Sequence, residues 1–247
     1  MIGSASILVF FGLWQASGRW LNPIFFATPS AVARAFGNLI SSGQLGGSAG
    51  DTVLTLVIGL AIATAIGMTC GISMGRSQRV SRVLSPMVSF ANASPAIALL
   101  PLMEIWFGVG ITARVAFVFV LCVFTLTLNS MAGVQNIPPE QLELGRSLGM
   151  SRSQVLRRIT LPGAAPHILT GLRVASAQAL VGAVLAGQEV GQAGLGGLAQ
   201  TFSTYFQTPQ LLVSVITSTC VGFVAFGLIR LFERLRYPWI RDLGHGG

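Results

Sequence analysis

Seven carboxylates, two histidines, three cysteines and fifteen arginines are the side chains with which this 247-residue chain could do acid–base, nucleophilic or metal chemistry; it has no lysine. The missing lysine removes two mechanisms at once. A phosphate-binding loop of the GxxxxGK[ST] type and a Schiff-base enzyme both depend on that amine. Cys70, Cys122 and Cys220 each stand alone inside an apolar run, which reads as three small buried apolar residues rather than a disulfide or metal site. His167 and His245 are too sparse for a metal centre, and neither lies near a Ser/Asp pair, so His167 is assigned a structural or interfacial part. An intramembrane enzyme would need a catalytic pair that these residues do not form.

Two carboxylates fall where their position matters. Glu104 and Glu189 lie near the ends of apolar runs, where an ionisable group is costly unless it pairs or meets water. Each is a candidate for a translocation path or gate; each could equally rest among headgroups or pair with Arg114. The segment "ANASPAIALLPLMEIWFGVG" around Glu104 adds Ser94, Pro95 and Pro101 to that candidate set. Both prolines lack an amide donor and disfavour a helical residue before them. Broken helices at membrane depth are tolerated when buried in protein or lining a wet cavity, so this is either a translocation path or a kinked packing helix.

The elements that must hold these residues are membrane helices. Hydrophobic residues make up 52% of the chain and charged residues 9%, against roughly 25% charged in a soluble domain. Runs long enough to approach the ~20 residues of a spanning helix occur at about 2-17, 51-75, 83-103, 111-132, 166-187 and 210-232. The first is the shortest, but no positive charge precedes it and no convincing cleavage site follows, so it reads as a retained helix rather than a signal peptide. The expected fold is all-α and polytopic: one domain over 1-247 with six transmembrane helices. Twelve arginines, including Arg76, Arg79, Arg82, Arg146, Arg152, Arg173 and Arg230, fall on one side of an alternating path, leaving Arg19, Arg34 and Arg114 on the other. Their excess on one side marks it as cytoplasmic and places both termini there.

Between the runs, "TPSAVARAFGNLISSG" offers a helix start at Pro29 and Ser30 and a stop at Gly43, consistent with an interfacial helix. Asp51 and Thr52 then open the second run. Gly59, Gly67, Gly71 and Gly75 recur along it at spacings of four or eight, a packing seam in lipid. "GQAGLGGLAQTFSTYFQTPQ" reads as a re-entrant or interface-lying gate segment.

The longest cytoplasmic connection carries a charged island, "ELGRSLGMSRSQVLRRITLP". Pro139 suits a first helical position, Glu140 and Glu143 complement a positive helix end, and Gly149 suits a left-handed stop. Ser151 with Gln154 makes a capping box, and Leu161-Pro162 is expected to end the second helix. The result is a hairpin over 138-162. It superficially resembles a DNA-reading motif, yet its anchorage between two spans fits docking of a cytoplasmic partner through its arginines, or rest on anionic headgroups.

That stretch resembles the EAA signature of permease subunits of bacterial ABC importers: Glu143-Leu144-Gly145, then Gly149, Ile159 and Leu161-Pro162 at the family's intervals, with Leu144 and Gly145 in place of two alanines. "FFATPSAVARAF", "SPAIALLPLMEIWFGVG", "LPGAAPHILTGLRVA" and "GQEVGQAGLGGLAQ" are similar to the nitrate/sulfonate/taurine branch. Thr55 stands where that branch often has an arginine, so no charge role transfers there. The resemblance implies a type I ABC importer transmembrane-domain fold in the bacterial inner membrane. It implies a second permease copy or a close relative of this chain, two cytoplasmic ATPase subunits that bind ATP and Mg with no cofactor in this chain, and a periplasmic binding protein; no nucleic acid is involved. Glu143, Gly145, Arg146, Gly149, Ser151, Ile159, Leu161 and Pro162 would then form the ATPase-coupling surface. The expected solute is a small anion such as a sulfonate, taurine or nitrate. An ion-coupled carrier or channel working without an ATPase is the alternative, weakened because no run has a carboxylate near its middle.

Overall fold

The structure, a computed structural model, describes residues 2–18, 22 and 25–236. Arg19, Arg241 and His245 lie outside the described residues. Eleven α-helices make up the described chain: α1 (Ile2–Ser17), α2 (Pro29–Ser41), α3 (Gln44–Arg76), α4 (Gln78–Ala93), α5 (Leu100–Phe107), α6 (Ile111–Gln135), α7 (Pro139–Ser147), α8 (Arg152–Val155), α9 (Leu161–Glu189), α10 (Gly194–Thr204) and α11 (Thr208–Arg236). A 3₁₀ turn, Ala96–Leu99, joins α4 to α5, and a π turn, Leu156–Thr160, joins α8 to α9.

Three helices form the core. An added Cβ on Gly59, Gly67, Gly71 and Gly75 of α3 would collide with Val118, Leu126, Ser130 and Val134 of α6, a constant offset that sets the two helices parallel. The glycine seam is therefore real, and its partner is α6. On α9, Gly182 meets Leu121 and Gly171 meets Asn129, so α9 runs antiparallel along the same helix. Without a hydrophobic drive between helices in lipid, such backbone contact supplies the dispersion that holds them. Leu56, Ala63, Val118, Cys122, Leu126, Ala175 and Ala179 fill the space between the three helices.

Among the described residues four helices are long and apolar enough to cross a membrane: Gln44–Arg76, Ile111–Gln135, Arg152–Glu189 and Thr208–Leu231. A fifth crossing is available only as the bent pair Gln78–Ala93 and Ala96–Phe107. Helix α1, with 16 residues, is shorter than a usual span. The six runs thus resolve into four continuous helices, one broken one and one short one.

Three boundaries differ from expectation. Helix α3 starts at Gln44, seven residues before Asp51, although Gly46, Gly47 and Gly50 are poor helix formers. Packing holds that first part: Leu45 is buried against α2 and α11 residues, and the Thr52 hydroxyl accepts from Leu195 N at 2.9 Å. The expected stop at Leu161-Pro162 is absent, because π turn and α9 continue the second arm of the hairpin into a 38-residue helix, Arg152–Glu189. The gate segment is an ordered helix, α10, whose residues Gly194 to Ala199 are buried against α3, α9 and α11. Helix α2 is capped by the Thr28 hydroxyl, which accepts from Ala31 N, and Pro29 is its first residue as expected.

Candidate functional site

The hairpin is built by local chemistry. Glu140 stands in the first turn of α7, and Gly149 ends the arm with φ +72°, a conformation that a side-chain-bearing residue adopts only at a cost. The Met150 amide donates back to Gly145 O at 3.0 Å. Ser151 then restarts the chain. Its hydroxyl accepts from Gln154 N at 3.3 Å and the Gln154 side chain accepts from Ser151 N at 2.8 Å, a complete capping box. The two arms touch through Gly145, where a Cβ would lie 2.6 Å from Ile159 Cδ1. That contact explains why a small residue stands at 145.

The second arm does not stop at Pro162, because the π turn absorbs the missing donor. Leu161 N pairs with Leu156 O and the Thr160 hydroxyl donates to Val155 O at 3.3 Å, both five residues back. Pro162 is the second residue of α9, directly after that turn. Ala164, Ala165 and Ile168 then bury against α6, and Gly133 lets Ala164 O approach. His167 Nε2 meets the Asn136 amide at 3.1 Å, the structural part expected of it.

What the hairpin leaves outward is mixed. Glu143, Arg146 and Arg152 are exposed, and so are Leu144 of α7 and Leu148 at its C-cap, at 62% and 68%. A cavity of about 660 Å³ separates the hairpin from the ends of α3 and α6, with Arg76, Arg146 and Arg152 among its walls and no carboxylate. Ser151 and Pro162 are exposed, Ile159 and Leu161 half-buried and Gly145 buried, so the expected coupling residues share one compact unit but not one face.

The broken span is the second candidate region. Helix α4 ends at Ala93, Ser94 donates its hydroxyl to Phe90 O at 3.0 Å, and the chain turns by 88° before α5. The break sits at Ser94-Pro95. Pro101 does not contribute to it, since it falls in the first turn of α5 and opens that helix. A cavity of about 750 Å³ lies between this bend, α6 and α9, walled in part by Asn92, Ser94 and Gln178. Pro95, Pro101, Glu104 and Glu189 are not among its walls. Asn92 and Gln178 were not singled out from the sequence, although each is an amide set in an otherwise apolar run.

Ion pairing also departs from expectation. Arg114 is buried at 7% exposure, yet among the described residues it pairs with neither Glu104 nor Glu189, and its Nε has no hydrogen-bond partner. Glu104 is half-buried and Glu189 exposed. The ion pair that does form joins Arg173 of α9 to Glu233 of α11, with Nε donating to the two carboxylate oxygens at 2.8 and 3.0 Å. Sixty residues separate the partners, so no local signal marks them. Cys122 is buried and its thiol donates to Ala175 O at 3.2 Å, whereas Cys70 and Cys220 are exposed on outer helix faces rather than buried.

Residues 63–236 match the family model described as binding-protein-dependent transport system inner membrane component. The chain belongs to this family. It is therefore a multi-pass ABC importer permease subunit, of a kind that works with a separate ATPase and a binding protein and has no ATPase of its own. The permease is 34% identical over 236 residues to the riboflavin transport system permease protein RibX of Chloroflexus aurantiacus, covering 94% of this chain and 87% of RibX. It is 31% identical to the putative aliphatic sulfonates transport permease protein SsuC of Escherichia coli, covering 92% and 87%. Its fold is similar to a chain of the MetNI methionine ABC transporter in an inward-facing conformation, with a TM-score of 0.63, 18% identity, and coverage of 76% of this permease and 95% of that chain.

Proposed function

We propose that this permease is the membrane half of an ATP-driven importer of a small organic solute, and that the 138–162 hairpin is where work from a cytoplasmic ATPase enters it. The observation that carries the proposal is the unbroken helix Arg152–Glu189. Its first turns form one arm of the hairpin and its remainder packs against α6 in the core, so displacement of the arm must displace the core helix. Outward-facing Leu144 and Leu148 beside Arg146 and Arg152 fit an ATPase groove with an apolar floor and an acidic rim. ATP and Mg are bound by the ATPase subunits, and nucleotide shifts the inward–outward equilibrium by as much as it binds one state better.

The assembly takes two permease copies, two ATPase subunits and a binding protein that delivers solute on the periplasmic side of a bacterial inner membrane, with both termini cytoplasmic. SsuC supports the sulfonate class expected from the sequence, and RibX supports an aromatic heterocycle; the class common to both is the one proposed. Glu104 and Glu189 are assigned to the external mouth, where their partial exposure keeps them hydrated.

The test is uptake by sealed vesicles holding the permease with its co-expressed ATPase, supplied with solute-loaded binding protein. Uptake should require ATP and both subunits. Uptake by the permease alone would assign it instead to the carrier or channel class.

A further inference from the structure

We infer that the cavity between the hairpin and the ends of α3 and α6 is a binding site for the phosphate of an anionic phospholipid, which ties the hairpin to the core. That this side of the membrane is cytoplasmic rests on the importer reading; the site itself rests on its geometry.

Three elements each bring one guanidinium to this cavity of about 660 Å³: Arg76 ends α3, Arg146 lies in the last turn of α7 and Arg152 opens α8. All three residues are exposed, and the ion pair that forms among the described residues, Arg173 to Glu233, involves none of them. Glu140 and Glu143 belong to α7 but are not among the walls. Cations gathered around one space without a carboxylate favour an anion there. A phosphate suits them, because its oxygens accept from the forked guanidinium two at a time.

Depth decides the source of the phosphate. Arg76 follows directly on the apolar run of α3, a helix long enough to cross the bilayer, which puts it at headgroup level. Val134, Ile137, Leu142 and Val155 give the cavity apolar walls as well. A free phosphate makes no use of them, whereas the glycerol and first acyl carbons of a lipid do. Basic pockets at the cytoplasmic ends of membrane helices hold anionic headgroups in this way. The amine of a zwitterionic headgroup would meet arginines and no carboxylate, so phosphatidylglycerol is favoured over phosphatidylcholine.

The hairpin has room for both partners. Leu142 and Arg146, one turn apart on α7, line the cavity, whereas exposed Leu144 lies on the opposite side of that helix, the side offered to the ATPase. A bound lipid thus leaves that side uncovered while its phosphate joins Arg146 and Arg152 of the hairpin to Arg76 of the core. ATP hydrolysis by the assembled importer should accordingly depend on anionic lipid.

The experiment places the permease–ATPase complex in nanodiscs of phosphatidylcholine with and without phosphatidylglycerol and counts the lipids retained on the released complex by native mass spectrometry. Phosphatidylglycerol should be retained about tenfold over phosphatidylcholine, and ATP hydrolysis should be faster in its presence. Arg76→Gln should cut that retention about tenfold, the loss of one charge-assisted contact. Arg79→Gln, at an exposed arginine outside the walls, should leave it within about twofold. Should Arg76→Gln fail to assemble, the lipid preference of the unaltered complex decides alone. Equal retention of the two lipids, retention unmoved by Arg76→Gln, or an equal loss in Arg79→Gln, as for diffuse attraction to a charged surface, overturns the inference. So does inorganic phosphate that reproduces the faster hydrolysis in pure phosphatidylcholine, which would assign the site to a free anion. Solute uptake by the permease without an ATPase would overturn the importer reading and leave the lipid site standing.

Discussion

Two junctions in this permease are rich in proline and end differently. Between Leu156 and Pro166 the helix passes two prolines unbroken; between Ala93 and Pro101, also with two, it turns by 88°. Proline removes a donor in both. The neighbours make the difference. At the first junction the π turn re-pairs Leu161 N with Leu156 O, and Ala164, Ala165 and Ile168 are pressed onto α6. At the second, α4 has no buried residue and meets α6 mainly through side-chain bonds such as Thr125 to Asn92. Proline alone does not decide, since Pro86 lies inside α4 without breaking it; at the first junction the π turn and packing on α6 keep the helix continuous, so one junction is a stiff lever and the other a bordered opening.

The comparison can be broken most severely on the lever's bearing surface. In Gly133→Leu the new Cβ would lie 2.9 Å from both Ala164 O and His167 Cβ. Backbone on one side cannot give way, so we expect a loss of about 2–3 kcal/mol, the upper part of the overpacking range. Thermal unfolding in detergent checks it. The counterpart on α4, Met87→Leu at a 64% exposed position, should stay within about 0.5 kcal/mol. Equal losses at the two sites would erase the distinction.

Gly149→Val comes next. The left-handed conformation at φ +72° should cost a valine about 1–2 kcal/mol. The protein should remain inserted, yet solute-stimulated ATP hydrolysis should fall, because the hairpin loses its fixed angle. Ser151→Ala removes half of the capping box and should cost about 1 kcal/mol, seen as a smaller drop in the same hydrolysis assay. Pro95→Ala should have a small effect, a destabilisation of about 0.4–1 kcal/mol arising from the freer unfolded chain. A clear gain in stability would instead mean that proline alone imposes the bend.

Much of the lever was legible because its signals are local. Pro139, Gly149 and the Ser151–Gln154 box act through hydrogen bonds spanning a few residues, and each appears where its residue type places it. The break at Ser94-Pro95 was legible for the same reason. Continuity through Pro162 was not, since it depends on a π turn followed by α9 residues packed on α6, a partner some thirty residues away. The early start of α3 depends on Leu195 reaching Thr52 across 143 residues. The pairing of Arg173 with Glu233, and the absence of any for Arg114, are likewise set by helix placement rather than by neighbours in the chain. The cavity walls Asn92 and Gln178 come from different helices, so only the fold brings them together.

The most direct test of the lever is a Gly-Gly insertion after Thr160 in the assembled importer, which interrupts the helix between hairpin and core without altering either surface. ATPase subunits should still co-purify and hydrolyse ATP, while ATP-dependent solute uptake falls about tenfold or more, within the usual range of coupling between sites. Uptake that stays at the level of the unaltered protein would show that the work does not travel through this helix.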